Sequence, residues 1–163
     1  MIELLAKLES YRIFNYLYPG SLFLFACDWI GVFEIKNQSL LINAFVAYFC
    51  GMTLSRIGSV VIEPILKFTR LISYSSFETY VKAEKIDPKI QTLLGEANTF
   101  RTLIATAITY ILVVLAKRLV DLYYFKVESI QIAALFAVTV LYICAYWKQV
   151  KFIEKRVIIA TIE

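Results

Sequence analysis

Long apolar runs alternate along this chain with short polar breaks and one extended polar stretch. The run 40–62 holds a single charge, Arg56, in 23 residues. At about 1.5 Å per residue, a helix of that length crosses a hydrocarbon core of about 30 Å with some tilt. One of its faces is small, because Ala44, Ala47, Gly51, Ser55 and Gly58 recur at spacings of three and four. Helices in lipid associate through close backbone approach over such residues. The run is therefore expected to be the packing helix of a membrane bundle.

Three more runs accompany it. The first covers about 13–33 and is preceded by an amphipathic lead, with Leu4, Leu5 and Leu8 set against Glu3, Lys7 and Glu9. That lead either lies on the membrane surface or extends the first helix. Pro19-Gly20 interrupts the run and is expected to kink or restart it, since proline removes a helix hydrogen bond. Leu24-Phe25-Ala26-Cys27 loosely resembles a lipoprotein cleavage box. Phe25 fits that box poorly, and Asn15, Pro19 and Gly20 break the apolar core, so a retained span is expected. The third run, about 102–125, is uncharged from Leu103 to Ala116 and then meets Lys117-Arg118. It spans fully if those cations lie near an interface. The fourth, about 130–147, closes on Tyr146-Trp147-Lys148, an interfacial ending, and has a small face at Ala134, Ala137 and Cys144-Ala145.

Between the second and third runs lies the polar segment 63–101. Glu63-Pro64 marks a boundary, with proline suited to a first helical turn. Ser75-Ser76-Phe77-Glu78 predicts a capping box with Ser75 at the cap. Asp87-Pro88 predicts a second helix start. Two or three short helices outside the hydrocarbon follow from this pattern. The tail 148–163 turns β-branched at its end and predicts either a helix end or an edge-pairing strand. The expected fold is all-α and polytopic: four transmembrane helices in a single membrane domain, with a cytoplasmic helical insertion between spans two and three.

Composition agrees with that layout. Of the 163 residues, 60% are hydrophobic and mean hydropathy is +0.70, against about 45–50% apolar for a soluble domain. Net charge is +4. The cations flank apolar runs instead of forming one patch, so no nucleic-acid binding is expected. Four spans place Lys7, Arg12, Arg56, Lys67, Arg70, Lys82, Lys85, Lys89, Arg101, Lys148, Lys151, Lys155 and Arg156 on one side, and only Lys36, Lys117, Arg118 and Lys126 on the other. The positive-inside rule makes the first side, with both termini, cytoplasmic at an inner membrane.

Candidate chemistry is sparse. The chain has no histidine, and Cys27, Cys50 and Cys144 lie far apart in apolar runs. No catalytic residues, metal ligands or cofactor site are expected. Charges near the hydrocarbon are the notable polar groups. Asp28 on span one and Lys117 or Arg118 on span three fall at matching depth and predict an interhelical salt bridge. The local alternative pairs Lys117 and Arg118 with Asp121. Arg56 either lines a polar path between protomers or snorkels to headgroups or Glu63. Hydroxyls on spans two and three either line a path or bond back to their own helix.

In layout the chain resembles the small multi-span proteins encoded beside prokaryotic anti-phage defence genes, such as the membrane subunit of Kiwa-type systems and the transmembrane effectors of CRISPR- and cyclic-nucleotide-linked defence. The resemblance covers the whole layout but carries over no functional residues. It implies a homo-oligomer in contact with membrane lipids and a cytosolic protein partner, with pore formation or membrane perturbation as output. The alternatives are a membrane anchor or scaffold for a soluble protein, and a holin-like or small transporter subunit.

Overall fold

The computed structural model describes the backbone of residues 2–35, 39–87, 89–123 and 127–162, and the side chains of these except 2–12, 14, 123, 127–132 and 160–162. Every regular element among the described residues is helical. In order these are α1 (Ile2–Trp29), α2 (Leu40–Ile57), a π-helical turn (Gly58–Ile62), α3 (Glu63–Phe68), α4 (Phe77–Ile86), α5 (Lys89–Tyr123) and α6 (Val127–Ile162). Among the described residues, three helical stretches are long and apolar enough to cross a membrane: Leu40–Phe68, Lys89–Leu122 and Ala133–Ile159. Total accessible surface is 12610 Å². A compact soluble monomer of 18.8 kDa exposes about 8300 Å². Large apolar side chains contribute to the open surface, with Phe45, Phe49, Ile111, Leu112, Leu115, Phe136 and Ile143 all exposed.

α1 and α2 form an antiparallel hairpin around glycine. A Cβ on Gly20 would overlap the Ala47 carbonyl and lie 2.7 Å from the Gly51 nitrogen; one on Gly51 would lie 2.6 Å from the Tyr16 carbonyl carbon. Pro19 is fully buried at this crossing, and Tyr16 and Tyr48 meet edge to face at 5.7 Å. Of the expected kink or restart, the restart does not occur: α1 runs through Pro19 as one helix, and the lead is part of it.

α1 ends earlier than the expected 33. Val32 N–H donates to Cys27 O and Gly31 N–H to Asp28 O, both at 2.9 Å, with Gly31 at φ +67°. This is a Schellman closure, in which glycine takes the left-handed position at low cost. The expected polar turn between the first two spans lies partly outside the described residues, at 36–38. Asn43 anchors its near end by donating to Ile35 O at 3.0 Å.

α2 is the hub of the bundle. It packs on α1, on α5 and on α6. The face of α5 turned inward is also small: Ala105, Thr102 and Thr106 are buried. Thr102 donates to Asn98 O and Thr106 to Thr102 O, so these hydroxyls bond back to their own helix.

The polar segment differs from expectation in two places. Ser76, not Ser75, caps α4: its Oγ accepts from Thr79 N–H at 3.2 Å, while Glu78 pairs with Lys82 at 3.0 Å. Thr79 also meets the Ser76 hydroxyl, at 2.7 Å, a second contact at this cap. Asp87 does start a helix, accepting from Lys89 N–H at 3.0 Å, while Pro88 lies outside the described residues. That helix does not stop before the third span. It continues as α5 for 35 residues. The tail is helical as well, the end of the 36-residue α6, which removes the strand alternative.

Candidate functional site

The most concentrated polar chemistry lies where α3, α5 and α6 meet. Its origin is the pair Glu63-Pro64. In the π-helical turn, Glu63 N–H bonds to Gly58 O, five residues back. The next bond in that register would run from residue 64 to Ser59 O. Pro64 has no N–H, so the Ser59 carbonyl is released. Lys148 of α6 takes it, with Nζ 2.6 Å from Ser59 O and 3.0 Å from Ser59 Oγ. The boundary expected at Glu63-Pro64 is therefore a change of helical register within one continuous stretch, not an end.

Glu63 is buried beside that carbonyl. Lys67 reaches its Oε1 at 2.7 Å; Arg101 Nη1 and Lys148 Nζ reach Oε2 at 2.7 and 3.2 Å. Three cations on three helical stretches thus share one carboxylate. A buried carboxylate is costly unless such partners surround it. Gly58 makes room for Arg101, since a Cβ there would lie 3.2 Å from Arg101 O and 3.3 Å from its Cγ. On the α1 side of the same end, Thr99 donates to Asn15 Oδ1 at 2.9 Å.

A second polar level lies at the other end of the bundle. Among the described residues, the expected ion pair of Asp28 with Lys117 or Arg118 does not form. Asp28 Oδ1 instead accepts from Ile35 N–H at 3.0 Å and closes its own loop. Lys117 Nζ donates to Ile30 O, the carbonyl just past the end of α1. A cation at a helix C-terminus satisfies an unpaired carbonyl and meets the negative end of the dipole. Among the described residues, no ion pair joins Asp121 to Lys117 or Arg118 either. Lys117 follows Arg101 by 16 residues, so the two levels are about 24 Å apart along α5.

The expected packing face of α2 divides between neighbours. Ala47 and Gly51 are buried against α1, and Gly58 against Arg101. Ser55 is half-buried, and Ala44 is exposed. On α6, only Ala145 of the small face is buried. Arg56 is half-buried, and the carboxylate of Glu63 is occupied by the other three cations.

An aromatic pair and an ion pair join α4 to the end of α6. The Phe77 and Phe152 rings lie 5.7 Å apart, and Arg156 Nη2 lies 3.6 Å from Glu84 Oε2. Burial, and then the Glu84 carboxylate, push the Tyr80 phenol above its ordinary range.

Glu63 as a hub is the main feature that the residue pattern did not single out. The signal was present: Glu63, Arg101 and Lys148 each stand at the same end of an apolar run. Among the described residues, no group of acidic or cysteine side chains is placed to hold a metal ion. Cys27, Cys50 and Cys144 are free thiols. A shallow apolar cleft lies between α1 and α5, lined by Leu22, Phe23, Ala26, Leu103, Thr106 and Tyr110 among others. No family model, curated protein or solved structure matches this chain.

Proposed function

We propose that the protein is a non-enzymatic inner-membrane protein that spans the bilayer four times and acts as a homo-oligomer coupled to a cytosolic protein. Both termini and the segment 63–101 face the cytoplasm in this reading. Its output is membrane perturbation or a pore formed between copies, the role that the layout's resemblance to anti-phage effectors implies. The observation that carries the reading is the pair of polar levels about 24 Å apart on α5, with open apolar flanks between them. A hydrocarbon core of about 30 Å fits that spacing once lysine and arginine stems reach outward at both ends. α5 and α6, at 35 and 36 residues, each exceed the core by about 20 Å, and their surplus lengths lie at the Glu63 end with α4.

The cleft within one chain is apolar, so a conducting path would run between copies, with Arg56 as a candidate lining group. Induced expression with an impermeant dye tests the output. Dye entry that starts with accumulation of the protein supports an effector; intact membranes at high expression refute it. Labelling of a cysteine placed at Lys85 from the periplasmic side would refute the orientation.

A second reading, a membrane anchor that presents α4 and the end of α6 to a soluble partner, is favoured by the Phe77–Phe152 and Glu84–Arg156 contacts. Loss of a co-purifying partner on truncation after Lys151, with no dye entry from the full chain, would select it.

A further inference from the structure

The Glu63 cluster has more positive charge than its carboxylate balances. One negative group meets Lys67, Arg101 and Lys148, leaving a surplus of two positive charges. The cations differ in what they have left to give. Lys148 directs its ammonium at Ser59 O, Ser59 Oγ and Glu63 Oε2, which uses its three donors. Arg101 spends Nη1 on Glu63, and its Nε is buried against Gly58 with no acceptor. Its Nη2 has no hydrogen-bond partner among the described residues and is not sealed from solvent as Nε is. Lys67 is about half exposed, and among the described residues it pairs with Glu63 and lies 4.6 Å from the Tyr74 ring. Free donors and uncompensated charge therefore collect on Arg101 and Lys67, each 2.7 Å from one oxygen of the same carboxylate.

We infer that Lys67 and Arg101, with the charge of Lys148 behind them, form a binding site for the phosphate of an anionic membrane lipid. The guanidinium fork and the ammonium point charge are the two side-chain groups best suited to phosphate oxygens. Glu63 fixes both in place and leaves them net positive. The site stands where the uncharged stretch 102–116 of α5 begins, and Ile65, Phe68 and Trp147 offer exposed apolar surface on the same stretches of chain. A headgroup phosphate with acyl chains on that surface fits both features. The inference rests on the reading that the bundle spans a membrane.

The test uses the full chain in detergent, titrated separately with phosphatidylglycerol, phosphatidylcholine and inorganic phosphate, and read by native mass spectrometry and by thermal melting. Phosphatidylglycerol should stay bound and raise Tm where phosphatidylcholine does not. Lys67→Gln and Arg101→Lys should each weaken that binding about tenfold or more. Lys67→Gln should lower Tm without lipid only slightly, and Arg101→Lys keeps a cation on Glu63, so loss of fold does not explain the effect. Inorganic phosphate that binds as tightly as the lipid, with the same sensitivity to both variants, would support the phosphate site and assign it to a free anion. Equal binding of the two lipids, or a preference that both variants retain, would overturn the inference. A wild-type chain that needs detergent yet shows no preference loses only this site. A chain recovered as a water-soluble monomer sinks the membrane reading itself, and the lipid with it.

Discussion

Gly51 of α2 lies directly against the backbone of Tyr16 on α1, so close that a Cβ on Gly51 would fall 2.6 Å from the Tyr16 carbonyl carbon and 3.1 Å from its Cα. The obstacle is backbone, which cannot swing aside as a side chain does. Gly51→Ala should therefore push the hairpin apart and destabilise it by about 1–3 kcal/mol or more. Gly20→Ala should act in the same way, since its Cβ would meet Ala47 O. Ala44→Leu, on an exposed position, should stay within about 0.5 kcal/mol. Thermal or denaturant melting in one detergent compares the three. An Ala44→Leu loss as large as that of Gly51→Ala would place the packing face elsewhere.

Glu63→Gln removes the one negative charge among three cations. Stripping a buried ionic group of its partner costs about 3–5 kcal/mol, and this change is expected in that range. Lys67→Gln should cost less than about 1 kcal/mol, because Lys67 is half exposed and screened. Lys148→Met falls between them, as it strands the Ser59 carbonyl that Pro64 leaves free. The order of the three melting temperatures checks the assignment. Equal small losses would mean that the cluster contributes little to holding the helices together.

At the opposite end, the contact between α1 and α5 depends on lysine and a carbonyl. Lys117→Met should destabilise by about 1.5–3 kcal/mol, the range for a hydrogen bond from a charged donor. Asp28→Asn should be nearly silent, because an amide oxygen still accepts from Ile35 N–H. A loss at Asp28→Asn matching that at Lys117→Met would restore the salt bridge in place of the carbonyl contact.

The end of α6 should be held to α4 by its aromatic pair more than by its ions. Phe152→Ala should release the last turns and speed tryptic cleavage at Lys151 and Lys155, since aromatic pairs contribute about 0.5–1.5 kcal/mol beyond their buried area. Glu84→Gln should leave the cleavage rate near wild type, because the Arg156 side chain is mostly exposed and its bridge is long, at 3.6 Å. The time course of limited proteolysis separates the two.

Much of this arrangement is written in the order of residues. Hydrophobic runs of adequate length mark helix over 40–62 and over the apolar part of α5, because helix length and apolar content are local properties. The small face of the second run marks Ala47 and Gly51 as packing positions, and Asp87 announces the start of α5. What local reasoning misses is continuity. Pro19 and Pro64 read as interruptions, yet α1 and the stretch from α2 to α3 run through both. A proline deletes one hydrogen bond, and whether a helix survives the deletion depends on what its neighbours place there.

Partner choice divides in the same way. Composition and periodicity determine that this chain builds apolar helices with its charges gathered at their ends, because burial preferences act residue by residue. That Lys117 takes Ile30 O and not Asp28, and that Glu63 gathers Lys67, Arg101 and Lys148, is decided only in three dimensions. Charges at equal depth on different helices are interchangeable in a linear pattern. Their rotation about each helix axis, set here by Gly20 against Ala47 and by the extra residue of the π-helical turn, selects which of them come within reach.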